Sequence, residues 1–145
     1  MNARVATIEH RITGAFLDKD LNPTGKTTQA TFMYCKFEPF AIRLVFPAEA
    51  MVGSIPGIWV GARCVLGAGL VEPSGLGDMQ VFPLEGRLSA TAIRLVTEKG
   101  DAVLRYPTRE VQRFLDATYD MVPAGAEPTY LDVDGVVERL LSDAR

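Results

Sequence analysis

Apolar and polar residues alternate with a period of two through most of the chain up to Tyr106, which is the pattern of strands that bury one face. Clusters of turn-forming residues separate these runs, for example residues 18–25 and Lys99-Gly100-Asp101. The alternation predicts six or seven strands, over residues 6–16, 27–37, 40–46, 58–61, 78–84, 88–97 and 102–106. The short turns favour neighbouring antiparallel strands and exclude a parallel sheet that alternates with helices.

The apolar period changes to 3.6 after Pro107, which indicates helices near the end of the chain. One helix is predicted to begin with Thr108 as its N-cap and Glu110 in its first turn, before residues 123–128 interrupt it. Its buried face consists of Val111, Phe114, Leu115, Thr118, Tyr119 and Val122.

Two further helices complete the prediction. A short and weak helix over residues 62–68 is expected to stop at Gly69. A last helix is expected from about Asp132 or Val133, burying Val133, Val136, Val137, Leu140 and Leu141. Strands first and helices last predict the α+β class: an antiparallel sheet of about six or seven strands with one short helix and two C-terminal helices.

Composition limits the class of protein further. The chain has 145 residues, of which 48% are hydrophobic and 23% charged, which fits a soluble domain spanning residues 1–145. It lacks the run of about 18 apolar residues that a membrane helix needs, and charges interrupt the N-terminal segment where a signal peptide would be apolar. We therefore expect a cytoplasmic protein with no integral membrane segment. The net charge of -3 disfavours a nucleic-acid partner, because such proteins neutralise phosphates with a basic surface.

Side chains suited to catalysis are few and scattered. His10 is the only histidine and lies on the apolar face of its strand, so it is interpreted as a packed or interface residue. Cys35 and Cys64 have no neighbouring Cys or His and are expected to be buried free thiols. Asp132 and Asp134 are interpreted as helix-capping residues, in preference to a pair of carboxylates that would carry out acid–base chemistry or bind a cation. No catalytic residues, cofactor or metal site are predicted.

Two other features leave binding functions open. The glycine-rich segment Pro73-Ser-Gly-Leu-Gly-Asp78 lacks the lysine of a phosphate-binding loop and is interpreted as a turn. Aromatic residues recur in the predicted strands, where the core interpretation is preferred and stacking on single-stranded nucleic acid is the alternative. They are Phe32, Tyr34, Phe37, Phe40, Phe46 and Phe82.

An ordered series of short motifs runs between about residues 30 and 141. Its members are Phe37-Glu-Pro-Phe-Ala-Ile42, Trp59-Val-Gly-Ala-Arg63, Gly69-Leu70, Pro73-Ser-Gly-Leu-Gly-Asp78, Val81-Phe-Pro83, Arg113-Phe-Leu115, Val122-Pro-Ala-Gly125-Ala-Glu127, Leu131-Asp-Val-Asp134 and Leu140-Leu141. In order and spacing these motifs resemble the SsgA-like proteins of sporulating actinobacteria. The family usually has an aromatic residue followed by Ala-Arg-Asp-Leu-Leu where this chain has Gly61-Ala-Arg63-Cys-Val-Leu66, and tryptophan where it has Phe82, so it resembles a divergent member.

The resemblance implies a fold and a function that periodicity alone does not. It implies an antiparallel sheet backed by helices, similar to the Whirly class of single-stranded nucleic-acid-binding folds, assembled as a homo-oligomer, with a trimer expected. It implies a non-enzymatic regulator of sporulation-specific cell division that localises at septa. Such a protein would promote assembly of the tubulin-like protein FtsZ, or later spore-wall steps, through contacts with FtsZ, cell-wall proteins or other SsgA-like proteins. Single-stranded nucleic-acid binding is the alternative function, and nucleic acid is not the expected partner.

The segment around the sole tryptophan is the candidate partner-binding site. Residues 55–61 are apolar in a Gly- and Pro-rich context, which suits an exposed anchor, although a core position for Trp59 is the preferred interpretation. The family shares a motif here and this chain departs from it. The hypothesis names Trp59, Arg63, Cys64, Leu66 and Leu70 as partner-binding residues.

Overall fold

Seven strands and three helices form in a computed structural model that describes residues 6–48, 57–84 and 89–131. In chain order these are β1 (Thr7–Leu17), β2 (Pro23–Cys35), β3 (Ala41–Val45), β4 (Ile58–Ala62), α1 (Arg63–Ala68), β5 (Met79–Pro83), β6 (Ala90–Thr97), β7 (Gly100–Pro107), α2 (Thr108–Met121) and α3 (Glu127–Tyr130). The elements confirm the predicted α+β class. In this part of the chain, no helix is long and apolar enough to span a membrane.

All strands join one antiparallel sheet in the order β4-β3-β2-β1-β7-β6-β5. The first two strands form a long ribbon, and β1 pairs with β7 only over Ala15–Leu17, opposite Arg105–Val103. The sheet therefore consists of two pieces, β4 to β1 and β7 to β5, which are joined at one end of β1. Strands β4 and β5 are its two edges.

One face of the sheet carries the main core. Alternate residues of the strands, such as Ile12, Phe32, Leu44 and Leu104, are almost fully buried on this face. Helix α2 covers it with Val111, Phe114, Leu115 and Thr118, as the 3.6-residue period predicts. The ring of Phe114 makes edge contacts with Phe32 and with His10, both at a centroid distance of 5.5 Å, so His10 is a packed residue as predicted.

Three details of the secondary structure differ from the prediction, and one is the short helix α3, which the sequence pattern did not predict. Strand β2 begins at Pro23 rather than near residue 27, because the ribbon with β1 continues to the tip, where Thr24 Oγ1 donates to the carbonyl of Phe16 at 3.0 Å. The N-cap of α2 is Pro107, so the prediction of Thr108 is wrong. The Thr108 hydroxyl hydrogen bonds with that of Thr91 at 2.7 Å instead of capping the helix. The predicted last helix, with Asp132 and Asp134, lies outside the described residues.

Candidate partner-binding site

Trp59 is the second residue of β4, and its indole is directed into the protein. Its exposed fraction is 7%, which confirms the preferred core position. Within the described residues the indole Nε1 is buried and has no hydrogen-bond partner. Trp59 also lines a groove of about 770 Å³ between β4 and the β6–β7 hairpin. The tryptophan is thus the inner wall of a surface feature rather than an exposed anchor.

Arg63 is the most deeply buried charged side chain of the described residues, with an exposed fraction of 1%. Its Nη1 donates to the carbonyl oxygens of Thr118 at 3.0 Å and Val122 at 2.8 Å. The Thr118 carbonyl also accepts from the Val122 N–H at 2.9 Å, and a cation near the last carbonyls of an α-helix is favourable. Arg63 therefore caps the C-terminal end of α2 from the first residue of α1.

The guanidinium of Arg63 is enclosed on its other sides as well. Its Nη2 donates to Glu127 Oε2 at 2.8 Å, and its carbon lies 4.1 Å from the ring centroid of Tyr119 and 5.0 Å from that of Tyr34. Aromatic faces attract a planar cation, which offsets part of the cost of removing it from water. This arrangement, which we call the Arg63 clamp, links α1, α2 and α3 to the sheet.

Two titrating groups report the electrostatics of the Arg63 clamp. Hydrogen bonds from its own backbone N–H and from the Arg63 guanidinium lower the pKa of Glu127. Burial raises the pKa of Tyr34, and the positive charge of Arg63 opposes that rise. The Tyr34 hydroxyl donates to the carbonyl of Pro39 at 2.9 Å, which fixes the ring against the guanidinium. The lowered pKa of Glu127 therefore favours its charged form beside the Arg63 guanidinium.

The remaining predicted site residues lie on α1 and just after it. Leu66 is fully buried, Leu70 is half-buried and packs against the main core, and Cys64 is exposed. The structure thus brings the predicted residues into one neighbourhood but turns Trp59, Arg63 and Leu66 inward. These three side chains hold the segment in place, and only Cys64 offers a fully accessible contact. The prediction of buried thiols is wrong, since Cys64 is exposed and Cys35 half-buried, although both are free.

The exposed apolar residues of this neighbourhood are not among the five predicted partner-binding residues, although Phe37 and Phe40 were considered for base stacking and residues 55–61 as an exposed apolar segment. Ile58 and Val60 of β4 have exposed fractions of 60% and 57%. Phe37 and Phe40 in the β2–β3 turn have 55% and 51%. The Phe40 carbonyl accepts from the Arg63 N–H at 2.8 Å, which places this turn against the start of α1. Strand alternation about a buried Trp59 is the signal that predicts exposed neighbours on β4.

The two edges of the sheet approach each other at one end of β4. A Cβ atom on Gly61 would lie 2.6 Å from Met79 Sδ of β5, so the edges are in contact there. On the Ile58 side of this contact, the groove opens between β4 and the β6–β7 hairpin. Besides Trp59, the groove is lined by Ile58, Val60, Asp78, Val96, Thr97, Glu98 and Lys99.

Other candidate sites have structural roles in the described residues. The segment 73–78 is a turn, as predicted, and its Ser74 forms a β-bridge with Val81 of β5. Of the aromatic residues considered for base stacking, Phe32, Tyr34 and Phe46 are buried in the core. No group of three or more Cys, His, Asp or Glu side chains suited to a metal ion occurs in residues 6–48, 57–84 and 89–131.

Comparison with known proteins identifies the family. Residues 28–127 match the family model described as Streptomyces sporulation and cell division protein, SsgA. The chain belongs to the SsgA family. SsgA family relatives include the sporulation-specific cell division protein SsgB of Salinispora tropica, 37% identical over 82% of this chain and 83% of that protein. The SsgB protein of Streptomyces coelicolor is 32% identical over 79% of this chain and 82% of its own length.

Solved structures of SsgA family members share the fold. The SsgA-like sporulation-specific cell division protein from Thermobifida fusca matches with a TM-score of 0.75 and 27% identity, over 92% of this chain and 94% of that chain. A structure described as "Mutations in SsgB correlate to longitudinal cell division during sporulation of Streptomyces coelicolor" matches with a TM-score of 0.73 and 27% identity, over 86% and 95%. The names of these relatives denote division proteins, and none denotes an enzyme.

Proposed function

We propose that this protein is a cytoplasmic, non-enzymatic adaptor of sporulation-specific cell division that acts at septa through protein–protein contacts. Membership of the SsgA family is the observation that carries the proposal, because the relatives are named for this process. The family resemblance points to FtsZ, to spore-wall proteins or to other SsgA-like proteins as partners. The exposed apolar residues of β4 and of the β2–β3 turn support a contact function.

We propose that the candidate segment has a supporting part and a contacting part. The Arg63 clamp and Leu66 fix α1 against the sheet, so they position the surface without touching a partner. Ile58, Val60 and Cys64 are accessible and supply the contact. Assembly as a homo-oligomer, with a trimer expected, would present several copies of this surface and raise the effective concentration of each weak contact.

A deletion strain of the source bacterium tests the proposal. We expect the strain to form fewer or misplaced sporulation septa, scored by membrane staining and by the pattern of fluorescent FtsZ, and expect the wild-type gene to restore them. Complementation with Val60→Asp should fail, because a charge disrupts the apolar contact surface on β4. Val71→Asp is the matched control, since Val71 is also apolar and exposed, at 81%, but lies after α1. Normal septation and sporulation in the deletion strain, with no SsgA-like paralogue compensating, would contradict the proposal.

A binding titration separates this function from single-stranded nucleic-acid binding. The purified protein is titrated with FtsZ and with a fluorescent single-stranded DNA oligomer at two salt concentrations. We expect binding to FtsZ and weak or no retention of DNA, because the net charge is -3 and three of the six aromatic residues considered for stacking are buried in the core. Tight DNA binding that weakens with salt would instead assign the function to the nucleic-acid alternative.

A further inference from the structure

The two edges of the sheet differ in how they are protected. At β5, Ser74 and Val81 exchange two backbone hydrogen bonds of 2.8 and 2.9 Å, and the strand ends at Pro83, which has no N–H to donate. Strand β4 has the sequence Ile58-Trp-Val-Gly-Ala62, without a charge or a proline. Charges, prolines and bridges are the usual means of preventing a sheet edge from pairing with another chain. Among the residues that the structure describes, edge β5 has such protection and edge β4 does not.

The register of β3 and β4 shows which backbone groups of β4 are available. Phe46 N–H donates to Gly57 O at 2.7 Å, and Arg63 N–H donates to Phe40 O at 2.8 Å. Backbone groups of an antiparallel strand point alternately to its two sides, so the odd-numbered residues of β4 face β3. The N–H and C=O groups of Ile58 and Val60 point to the other side, toward the groove.

The groove has the chemistry to receive an extended segment. Its volume of about 770 Å³ lies within the range of occupied binding pockets. Trp59 and Val96 make its lining apolar, while Asp78 and Glu98 against Lys99 leave an excess of one negative charge among the lining residues. Every second side chain of an added strand would lie beside the exposed side chains of Ile58 and Val60 on the outer face of the sheet. The side chains between them would point toward Trp59. The lining charges favour a segment that is neutral or carries a basic residue.

We propose that β4 binds its division partner by strand addition, pairing Ile58 and Val60 with an extended apolar segment, neutral or basic, of that partner. The inference rests on the proposed function for the identity of the partner, and adds the mode of binding. In strand addition, main-chain hydrogen bonds supply affinity and alternate side-chain positions supply specificity. The binding energy therefore depends on the Val60 N–H as well as on its side chain.

Substitutions at Val60 separate strand addition from ordinary apolar contact. Val60→Thr keeps the backbone N–H and the branched shape but reduces the apolar surface. Val60→Pro removes the N–H that faces the groove and leaves the pairing with β3 intact, because proline is tolerated where the N–H faces away from the sheet. Val71→Thr is the control at an exposed apolar residue outside β4. Circular dichroism and thermal unfolding establish that each variant is folded.

Titration against purified FtsZ is the first measurement. We expect Val60→Pro to weaken binding by about tenfold or more, since it removes one hydrogen bond and blocks the close approach of a strand. Val60→Thr should weaken it by only a few-fold and Val71→Thr should leave it unchanged. Equal binding by wild type and Val60→Pro would overturn strand addition while leaving the adaptor function in place.

Amide hydrogen exchange gives a second test that needs no variant. In the free protein the Ile58 and Val60 amides should exchange rapidly, and FtsZ should protect these two amides more than those of β5. Slow exchange in the free protein would show that the edge is already paired, which would overturn the proposal. Conversion of an oligomer to a monomer by Val60→Pro, measured by light scattering, would assign the edge to a second copy of this chain and also overturn it.

A random-peptide library displayed on phage separates failure of the binding mode from failure of the proposed partner. Selection on wild type, with Val60→Pro as the competitor in solution, should enrich apolar, non-acidic segments that protect the Ile58 and Val60 amides. Such peptides without FtsZ binding would sustain strand addition and refute FtsZ as the partner. The absence of both peptide and FtsZ binding would refute both.

Discussion

Replacement of Arg63 tests whether the Arg63 clamp holds the helices on the sheet. In Arg63→Met a flexible apolar side chain of similar length takes the space of the guanidinium but donates no hydrogen bonds. The carbonyls of Thr118 and Val122 then lose donors at 3.0 and 2.8 Å, and Glu127 loses one at 2.8 Å. A hydrogen bond to a charged group contributes about 1.5–3 kcal/mol, and Arg63 donates two such bonds to buried carbonyl oxygens besides the one to the part-buried Glu127.

We expect Arg63→Met to lower the free energy of unfolding by about 3–5 kcal/mol, which corresponds to a fall in Tm of roughly 10 °C for a chain of this size. Arg63→Lys should fall between wild type and Met, because one ammonium cannot make the forked contacts of a guanidinium. Urea and thermal unfolding followed by circular dichroism measure both changes. Arg113→Met is the control, since Arg113 lies on the exposed side of α2.

A Met variant that unfolds within about 0.5 kcal/mol of wild type would refute this account of Arg63, because that is the range of substitutions at ordinary surface sites. The same outcome would favour the original prediction that Arg63 itself contacts the partner. A large loss of stability, in contrast, would mean that septation defects of Arg63 variants report unfolding and not a lost partner contact.

Three further predictions concern single groups in and near this region. The lowered pKa of Glu127 implies a contribution to stability that is present above the ordinary pKa of 4.5 and is lost as the pH falls through the folded-state pKa. The Tm measured from pH 7 to pH 3 should therefore fall less in Glu127→Gln than in wild type. Equal slopes would contradict it. Gly69→Ala should destabilise by about 1–3 kcal/mol in urea unfolding, because its Cβ would lie 2.3 Å from the Cβ of Val81, whereas Gly77→Ala, with open space around it, serves as the unaffected control. Tyr106→Phe should leave stability unchanged or raise it by up to about 1 kcal/mol, because within the described residues the buried Tyr106 hydroxyl has no hydrogen-bond partner. A clear loss of stability in thermal unfolding would show that the hydroxyl does have such a partner.

Local periodicity predicted most of the secondary structure because burial on one face imposes it residue by residue. The apolar positions of α2 at helical spacing and the alternation along β6 are both of this kind. The start of β2 was missed because residues 23–26 are exposed on both faces and show no alternation. The N-cap was assigned to Thr108 because its hydroxyl suits that role, but the chain instead brings Thr91 beside it.

The interior position of Arg63 was beyond the reach of sequence reasoning for a different reason. Its partners Thr118, Val122 and Glu127 lie 55, 59 and 64 residues further along the chain. Nothing in the local sequence distinguishes an arginine that caps a distant helix from one at the surface, and arginine is rarely buried without a partner. The prediction therefore found the right neighbourhood and gave the buried residues a contacting role.

The departures from the family pattern occur where this neighbourhood reaches the surface. The pattern has an aromatic residue at the position of Gly61, where any side chain would collide with Met79 Sδ at 2.6 Å. The thioether of Met79 therefore occupies the space that an aromatic side chain at this position would need. Cys64 replaces a usual aspartate at an exposed position, while Arg63, which needs distant partners, is retained. By the family resemblance, this chain thus departs from the pattern at the end of the β4 groove and at the exposed start of α1 but keeps Arg63, which is the distribution expected if this surface selects the partner and the Arg63 clamp only supports it.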